Sequence, residues 1–122
     1  MKLKIKDKIP DIEILHLVDG EPQTCKIREI LGNSKIILFG LPGAFTSTCS
    51  KVHLPGYVAN AEKIKAKGID KIFCISVNDP HVMNAWGVFN NVENKITMLS
   101  DPYLLFTKAI GAEIDRNSKG MG

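Results

Sequence analysis

The sequence lacks most of the features that assign a protein quickly. It has three cysteines, Cys25, Cys49 and Cys74, and no Cys-x-x-Cys pair. The odd count and wide spacing argue against a disulfide framework, a zinc knuckle and a paired redox dithiol. The three histidines, His16, His53 and His81, are scattered with no i,i+4 pairing, so no metal site or other cofactor is expected. Arginine occurs only at Arg28 and Arg116. No apolar run approaches the roughly 20 residues needed to cross a bilayer, so no membrane partner is expected. The basic start, Met1-Lys2-Leu3-Lys4-Ile5-Lys6, has no apolar stretch behind it and does not read as a secretory signal. A net charge of +3 is too mild to argue for nucleic acid, and no aromatic-basic interleaving supports it. Three reduced thiols suit the cytoplasm, or an organelle if a leader has been removed.

What is present reads as one α/β domain over residues 1–122, long enough to bury roughly two thirds of its unfolded surface. Asp11 to Val18 alternates loosely as a short strand, and Asp19-Gly20 signals a turn. Gln23 to Ile27 is the return strand, and Lys26 to Leu31 a helical turn ending at Gly32. Ile36 to Phe39 and Lys71 to Val77 are buried strands, and Ile96 to Leu99 a third. Between the first two lies a helix with an apolar stripe at Leu54, Tyr57, Val58, Ala61 and Ile64, stopped by Gly68. Pro55 should kink it near its start. Asn78-Asp79-Pro80 and Ser100-Asp101-Pro102 each combine a cap with proline at the first helical position. The second helix then runs to Ile110 and closes at Gly111. Val82, Met83 and Trp86 form the buried face of the first. Strands alternating with helices predict a largely parallel central sheet covered on both faces.

The chemistry concentrates in Gly40-Leu41-Pro42-Gly43-Ala44-Phe45-Thr46-Ser47-Thr48-Cys49-Ser50, a strand-to-helix loop. It sets Cys49 in or just before a helix's first turn. Backbone N–H groups there have no intrahelical partners, and the helix dipole favours a thiolate over a thiol. Cys49 is therefore the nucleophile candidate. Thr46 lies one turn earlier, with a hydroxyl able to donate to the sulfur or to an oxygen beside it. Pro42 can wall the pocket without adding a competing donor. Gly43 and Ala44 permit close approach, and Phe45 can seal the pocket from water. Cys74, inside an apolar strand, reads as a core residue, and Cys25 has no activating surroundings in the sequence.

Pro42-x-x-x-Thr46-x-x-Cys49 resembles the peroxiredoxin active-site signature. The longer run from Pro42 to Thr46, then Cys49-Ser50-Lys51 and His53-Leu54-Pro55-Gly56, is similar to the type-5, or plant type-II, group. Ser76-Val77-Asn78-Asp79 and Trp86-Gly87 match that group in order, and the resemblance runs roughly from Asp11 to Asp115. It implies a thioredoxin-like fold and a thiol-dependent peroxidase that reduces hydrogen peroxide and alkyl hydroperoxides without metal or flavin. Cys49 would then be the peroxidatic cysteine, passing through a sulfenic acid. Thr46 and the Cys49 N–H would hold the peroxide, and Pro42 would shield the oxidised sulfur.

The resemblance also implies parts this sequence does not contain. The family's arginine, closing strands and C-terminal helix lie beyond any position that matches here, so the domain is expected to be C-terminally incomplete. Some members of the group carry a resolving cysteine near the C-terminus and others are recycled by glutaredoxin, glutathione or thioredoxin, and the resemblance leaves both routes open. A homodimer would form through the face carrying the active-site loop, with Phe45 and Leu104-Leu105-Phe106 as contacts. Two other readings stand beside this one. A non-catalytic thioredoxin-fold binding or regulatory fragment would keep the fold without turning over peroxide. A disulfide oxidoreductase is disfavoured by the missing Cys-x-x-Cys.

Overall fold

The two apolar runs that dominate the sequence lie side by side. The computed structural model of the chain describes residues 2–121. Ile36–Gly40 (β3) pairs in parallel with Lys71–Ser76 (β4), setting Ile37 opposite Ile72 and Phe39 opposite Cys74. Thr97–Ser100 (β5) adds in parallel to the far side of β4, with Ile75 opposite Leu99. Strands buried on both faces read as continuous apolar runs because both sets of side chains need cover. One face here packs Phe39, Ile72 and Cys74 against Leu54, Ala61, Met83 and Trp86. The other packs Phe73, Ile75 and Leu99 against Ile14, Ile27 and Phe106.

Glu13–Val18 (β1) and Glu21–Lys26 (β2) form an antiparallel hairpin, and β1 also pairs antiparallel with β5. Asp19 and Gly20 both have positive φ, 50° and 83°, which fits the mirror-image turn that joins twisted strands tightly. The sheet order is β2-β1-β5-β4-β3. The sheet is therefore mixed, with its parallel half confined to β3, β4 and β5. The expected return strand over Gln23 to Ile27 starts earlier, at Glu21, and Ile27 instead opens a short helix, Ile27–Leu31 (α1).

Leu54–Ala66 (α2) and Pro80–Phe89 (α3) cover the face that holds Cys74. The Asp79 cap forms as the sequence predicts: its Oδ1 accepts the Val82 N–H at 2.9 Å. Gly87 lets α3 settle on β5, since a Cβ there would fall 2.9 Å from Met98 Cγ and 3.1 Å from Val92 Cγ2. The second proline start fails by position. Leu105–Ala109 (α4) begins after Leu104, which turns through φ 57°, rather than at Pro102. Asp101 still serves the helix, but from further back. It is 1% exposed and accepts the N–H groups of Phe106 (3.2 Å) and Thr107 (2.7 Å) and the Thr107 hydroxyl (2.6 Å). Among the described residues, no helix is long and apolar enough to cross a membrane.

Candidate active site

The strand-to-helix loop is held from below by the end of β4. Asn78 Oδ1 accepts the Ala44 N–H at 2.7 Å. Ser76 Oγ lies 3.1 Å from both the Leu41 carbonyl oxygen and Asn78 Oδ1. Ser100 Oγ donates to the Asn78 carbonyl, and the Asp101 N–H donates to the Ser76 carbonyl at 2.8 Å, so β5 braces the same corner. The loop follows a path with Phe45 at φ 62°, a conformation that non-glycine side chains adopt at a cost. Phe45 is 52% exposed, and its ring lies 6.5 Å from that of Trp86 and 5.8 Å from that of Phe89.

The helical turn starts at Thr46. Its carbonyl accepts the Ser50 N–H at 2.9 Å, the first backbone hydrogen bond of the turn. The N–H groups of Ser47, Thr48 and Cys49 precede that bond, so they are the ones a helix leaves free. Cys49 is 5% exposed and packs with Phe39, Ala44, Leu54 and Trp86. Trp86 Nε1 donates to Ser50 Oγ at 2.9 Å, tying the turn to α3. The irregularity expected from Pro55 takes a definite form. Residues Cys49–His53 wind as a π-turn, and the Leu54 N–H reaches back five residues to the Cys49 carbonyl. Such wide turns recur at functional sites.

The sequence-predicted residues are only partly brought together. Thr46 and Cys49 share one turn, but the Thr46 hydroxyl proton is engaged, donating to the Gly43 carbonyl at 2.8 Å. Toward the sulfur or a bound oxygen it presents lone pairs until it rotates. Pro42 is exposed at the start of the loop. Phe106 is 2% exposed and belongs to the core, so it drops out as an interface residue, whereas Leu105 stays half exposed. Ser76, Asn78 and Trp86 hold the loop and its helical turn. Their signal in sequence was the Ser76-Val77-Asn78-Asp79 and Trp86-Gly87 motifs, to which the sequence reading gave no role at the site.

The other two thiols are held differently. Cys74 is fully buried, and its thiol is pushed up to about 12, first by burial and then by the neighbouring Cys49. Cys25 is also raised, by partial burial and then by Glu29. It lies on β2, at the opposite edge of the sheet from the strand that leads to Cys49, roughly 19 Å away across four strand spacings. A Cys74→Ala variant is expected to leave the peroxide reactivity of Cys49 unchanged within about twofold, since a protonated, buried thiol is inert. Stopped-flow mixing with peroxide checks this. Among the described residues, no group of three histidine, cysteine, aspartate or glutamate side chains is placed to hold a metal ion.

A buried cysteine in the first turn after a parallel strand, at the end of a thioredoxin-like sheet, defines a thiol-based redox protein. The comparisons with known proteins narrow the class. The Redoxin family model matches residues 4–121. Peroxiredoxin-2D of Arabidopsis thaliana is 41% identical over 121 residues, covering 98% of this chain and 75% of that protein. Chloroplastic peroxiredoxin-2E-2 of Oryza sativa is 42% identical, covering 98% of this chain and 55% of that one. The crystal structure of reduced Prx3 from Vibrio vulnificus in complex with hydrogen peroxide superposes with a TM-score of 0.89 at 41% identity, covering 93% of this chain and 72% of that one. The chain belongs to the redoxin family and, within it, to the peroxiredoxins, the thiol-dependent peroxidases.

Proposed function

We propose that Cys49 is the nucleophile of this peroxidase and that Thr46 and the free N–H groups of its turn position the peroxide. The observation that carries the reading is the placement of Cys49. Cys49 is buried, in the turn whose first backbone bond is Ser50 N–H to Thr46 carbonyl, so three N–H groups of that turn precede the bond. The Cys49 thiolate attacks one peroxide oxygen, the S–O bond forms and the O–O bond breaks. The leaving oxygen takes a proton and departs as water or alcohol. Sulfur is oxidised by two electrons to a sulfenic acid, and the peroxide is reduced by the same two. The N–H groups stabilise charge on the leaving oxygen. Pro42, at the entrance of the loop, limits access to the oxidised sulfur.

Cys74 is held as a thiol and Cys25 lies across the sheet, and a reducing thiol recycles the sulfenic acid. Glutathione, glutaredoxin or thioredoxin supplies it: one thiol condenses with the sulfenic acid and releases water, and a second thiol resolves the mixed disulfide. The chain works as one domain, because a single sheet joins both core clusters. It acts in a reducing compartment, the cytosol or an organelle. Dimerisation through the loop face would cover Phe45, Val88 and Phe89, which are 52%, 69% and 69% exposed.

One equivalent of hydrogen peroxide, followed by a sulfenic-acid tag and peptide mass mapping, tests the assignment: the tag is expected on Cys49, and equal tagging of Cys25 would overturn it. The role of Thr46 has its own test. Thr46→Val should slow the peroxide step by about 10²-fold, the usual cost of losing one donor, here a hydroxyl that turns from Gly43 to the peroxide, with stability changed by only about 1 kcal/mol for the lost Gly43 bond. Thr46→Ser should recover most of the rate.

A further inference from the structure

Given the role of Thr46 in holding the peroxide, on which this rests, we propose that Asn78 is the residue that positions the Thr46 hydroxyl, acting through the Gly43–Ala44 peptide. One peptide unit joins the two side chains. Its N–H, that of Ala44, donates to Asn78 Oδ1 at 2.7 Å. Its carbonyl, that of Gly43, accepts the Thr46 hydroxyl at 2.8 Å. In a planar trans peptide these two groups point in opposite directions, so fixing one end fixes the other. Asn78 therefore decides where the Gly43 carbonyl points, and that carbonyl decides where the Thr46 hydroxyl rests.

This peptide needs such a hold. Glycine on its N-terminal side has no Cβ to resist rotation of the plane. Phe45, the residue after Ala44, stands at φ 62°, a conformation that persists only where its surroundings impose it. The three groups converge on Gly43: a Cβ there would lie 3.4 Å from Thr46 Cγ2 and 3.7 Å from Asn78 Oδ1. The Ala44 N–H can only donate, so the amide atom facing it is the oxygen. Asn78 is itself braced from two strands. Ser76 Oγ lies 3.1 Å from its Oδ1, and Ser100 Oγ donates to its carbonyl. A hydrogen bond at the N–H end of a peptide also polarises it and strengthens its carbonyl as an acceptor. Asn78 thus sets both where the hydroxyl is parked and how firmly, before it turns to the peroxide.

The test is the cost of Thr46→Val in the peroxide step, read by stopped-flow on the intact chain, first unmodified and then carrying Asn78→Ala, Asn78→Leu or Asn78→Asp. Circular dichroism confirms that each variant folds, and Asn78→Leu fills the space that Asn78→Ala leaves empty. In the unmodified chain the cost is about 10²-fold. Without the amide acceptor it should fall below about tenfold, because two residues that act through one contact are not additive. Asn78→Asp keeps an oxygen for the Ala44 N–H and should keep the full cost, and any effect of its charge on Cys49 is common to both members of the ratio. Alkylation of Cys49 by iodoacetamide, which has no peroxide oxygen to hold, should stay within about threefold in Asn78→Ala and Asn78→Leu. A cost above about tenfold without the amide, a cost lost in Asn78→Asp, or alkylation that falls as far as the peroxide rate overturns the role of Asn78 alone. No cost of Thr46→Val in the unmodified chain overturns the role of Thr46, and that of Asn78 with it.

Discussion

Cys49→Ser is expected to reduce peroxide consumption to the rate of the reducing thiol alone. Removing the nucleophile of a concerted site costs on the order of 10³-fold or more, because what remains can bind but not react. A coupled assay with glutathione or thioredoxin as reductant reads the loss. The fold should survive, since serine is close to cysteine in size and the turn is held by backbone and neighbours: Ser50 N–H to Thr46 carbonyl and Trp86 Nε1 to Ser50 Oγ. An unchanged melting transition with activity gone separates chemistry from structure. Activity persisting in Cys49→Ser would move the reaction to Cys25 or Cys74, both of which the structure holds as poor nucleophiles.

Asp101→Ala should be the most destabilising single change at a polar position in this chain. Asp101 is buried and accepts three hydrogen bonds, two of them from backbone N–H groups that open α4. Without the carboxylate those two donors are left unpaired away from water, at about 1–3 kcal/mol each. A loss of about 3–5 kcal/mol follows, a large share of the ~5–15 kcal/mol typical of a whole domain. Urea unfolding measures it. Asp101→Asn keeps one acceptor oxygen and should recover about half of the loss, on the ~1 kcal/mol scale of a neutral hydrogen bond. A loss below about 1 kcal/mol in Asp101→Ala would mean that water replaces the carboxylate at the helix start.

The pieces legible in the sequence are those where one local rule decides. β3 and the Ile72-Phe73-Cys74-Ile75 stretch of β4 are continuously apolar because both faces are covered. The Asp79-Pro80 start is local too, with the cap and its acceptor three residues apart. The Asp101-Pro102 start shows the limit. Its capping chemistry is right but its offset is wrong, because Leu104 turns through a left-handed conformation and moves the helix start to Leu105. β2 gave little signal because only Cys25 along it is even partly buried. A strand with no core to line has no apolar period to read. At the site, Cys49 and Thr46 were legible from spacing on one turn. The hold of Asn78 on Ala44 was not, since it joins residues 34 apart in sequence. The same holds for the direction of the Thr46 hydroxyl, which depends on where the Gly43 carbonyl points.

The central claim is that the turn speeds the reaction of Cys49 with peroxide by more than ionisation of a thiol could. A free thiol with pKa near 8.5 is about 3% thiolate at pH 7, so complete ionisation raises its rate by at most about 30-fold. Anything above that ceiling comes from the site itself, in which Thr46 and the free N–H groups position the peroxide and the N–H groups stabilise the leaving oxygen. The decisive measurement is the second-order rate constant for Cys49 with hydrogen peroxide at pH 7, relative to free cysteine under the same conditions. The account predicts a ratio well above 30, falling toward that value in Thr46→Val. A ratio at or below about 30 in the unmodified chain would contradict it, because ionisation alone would then explain the reactivity.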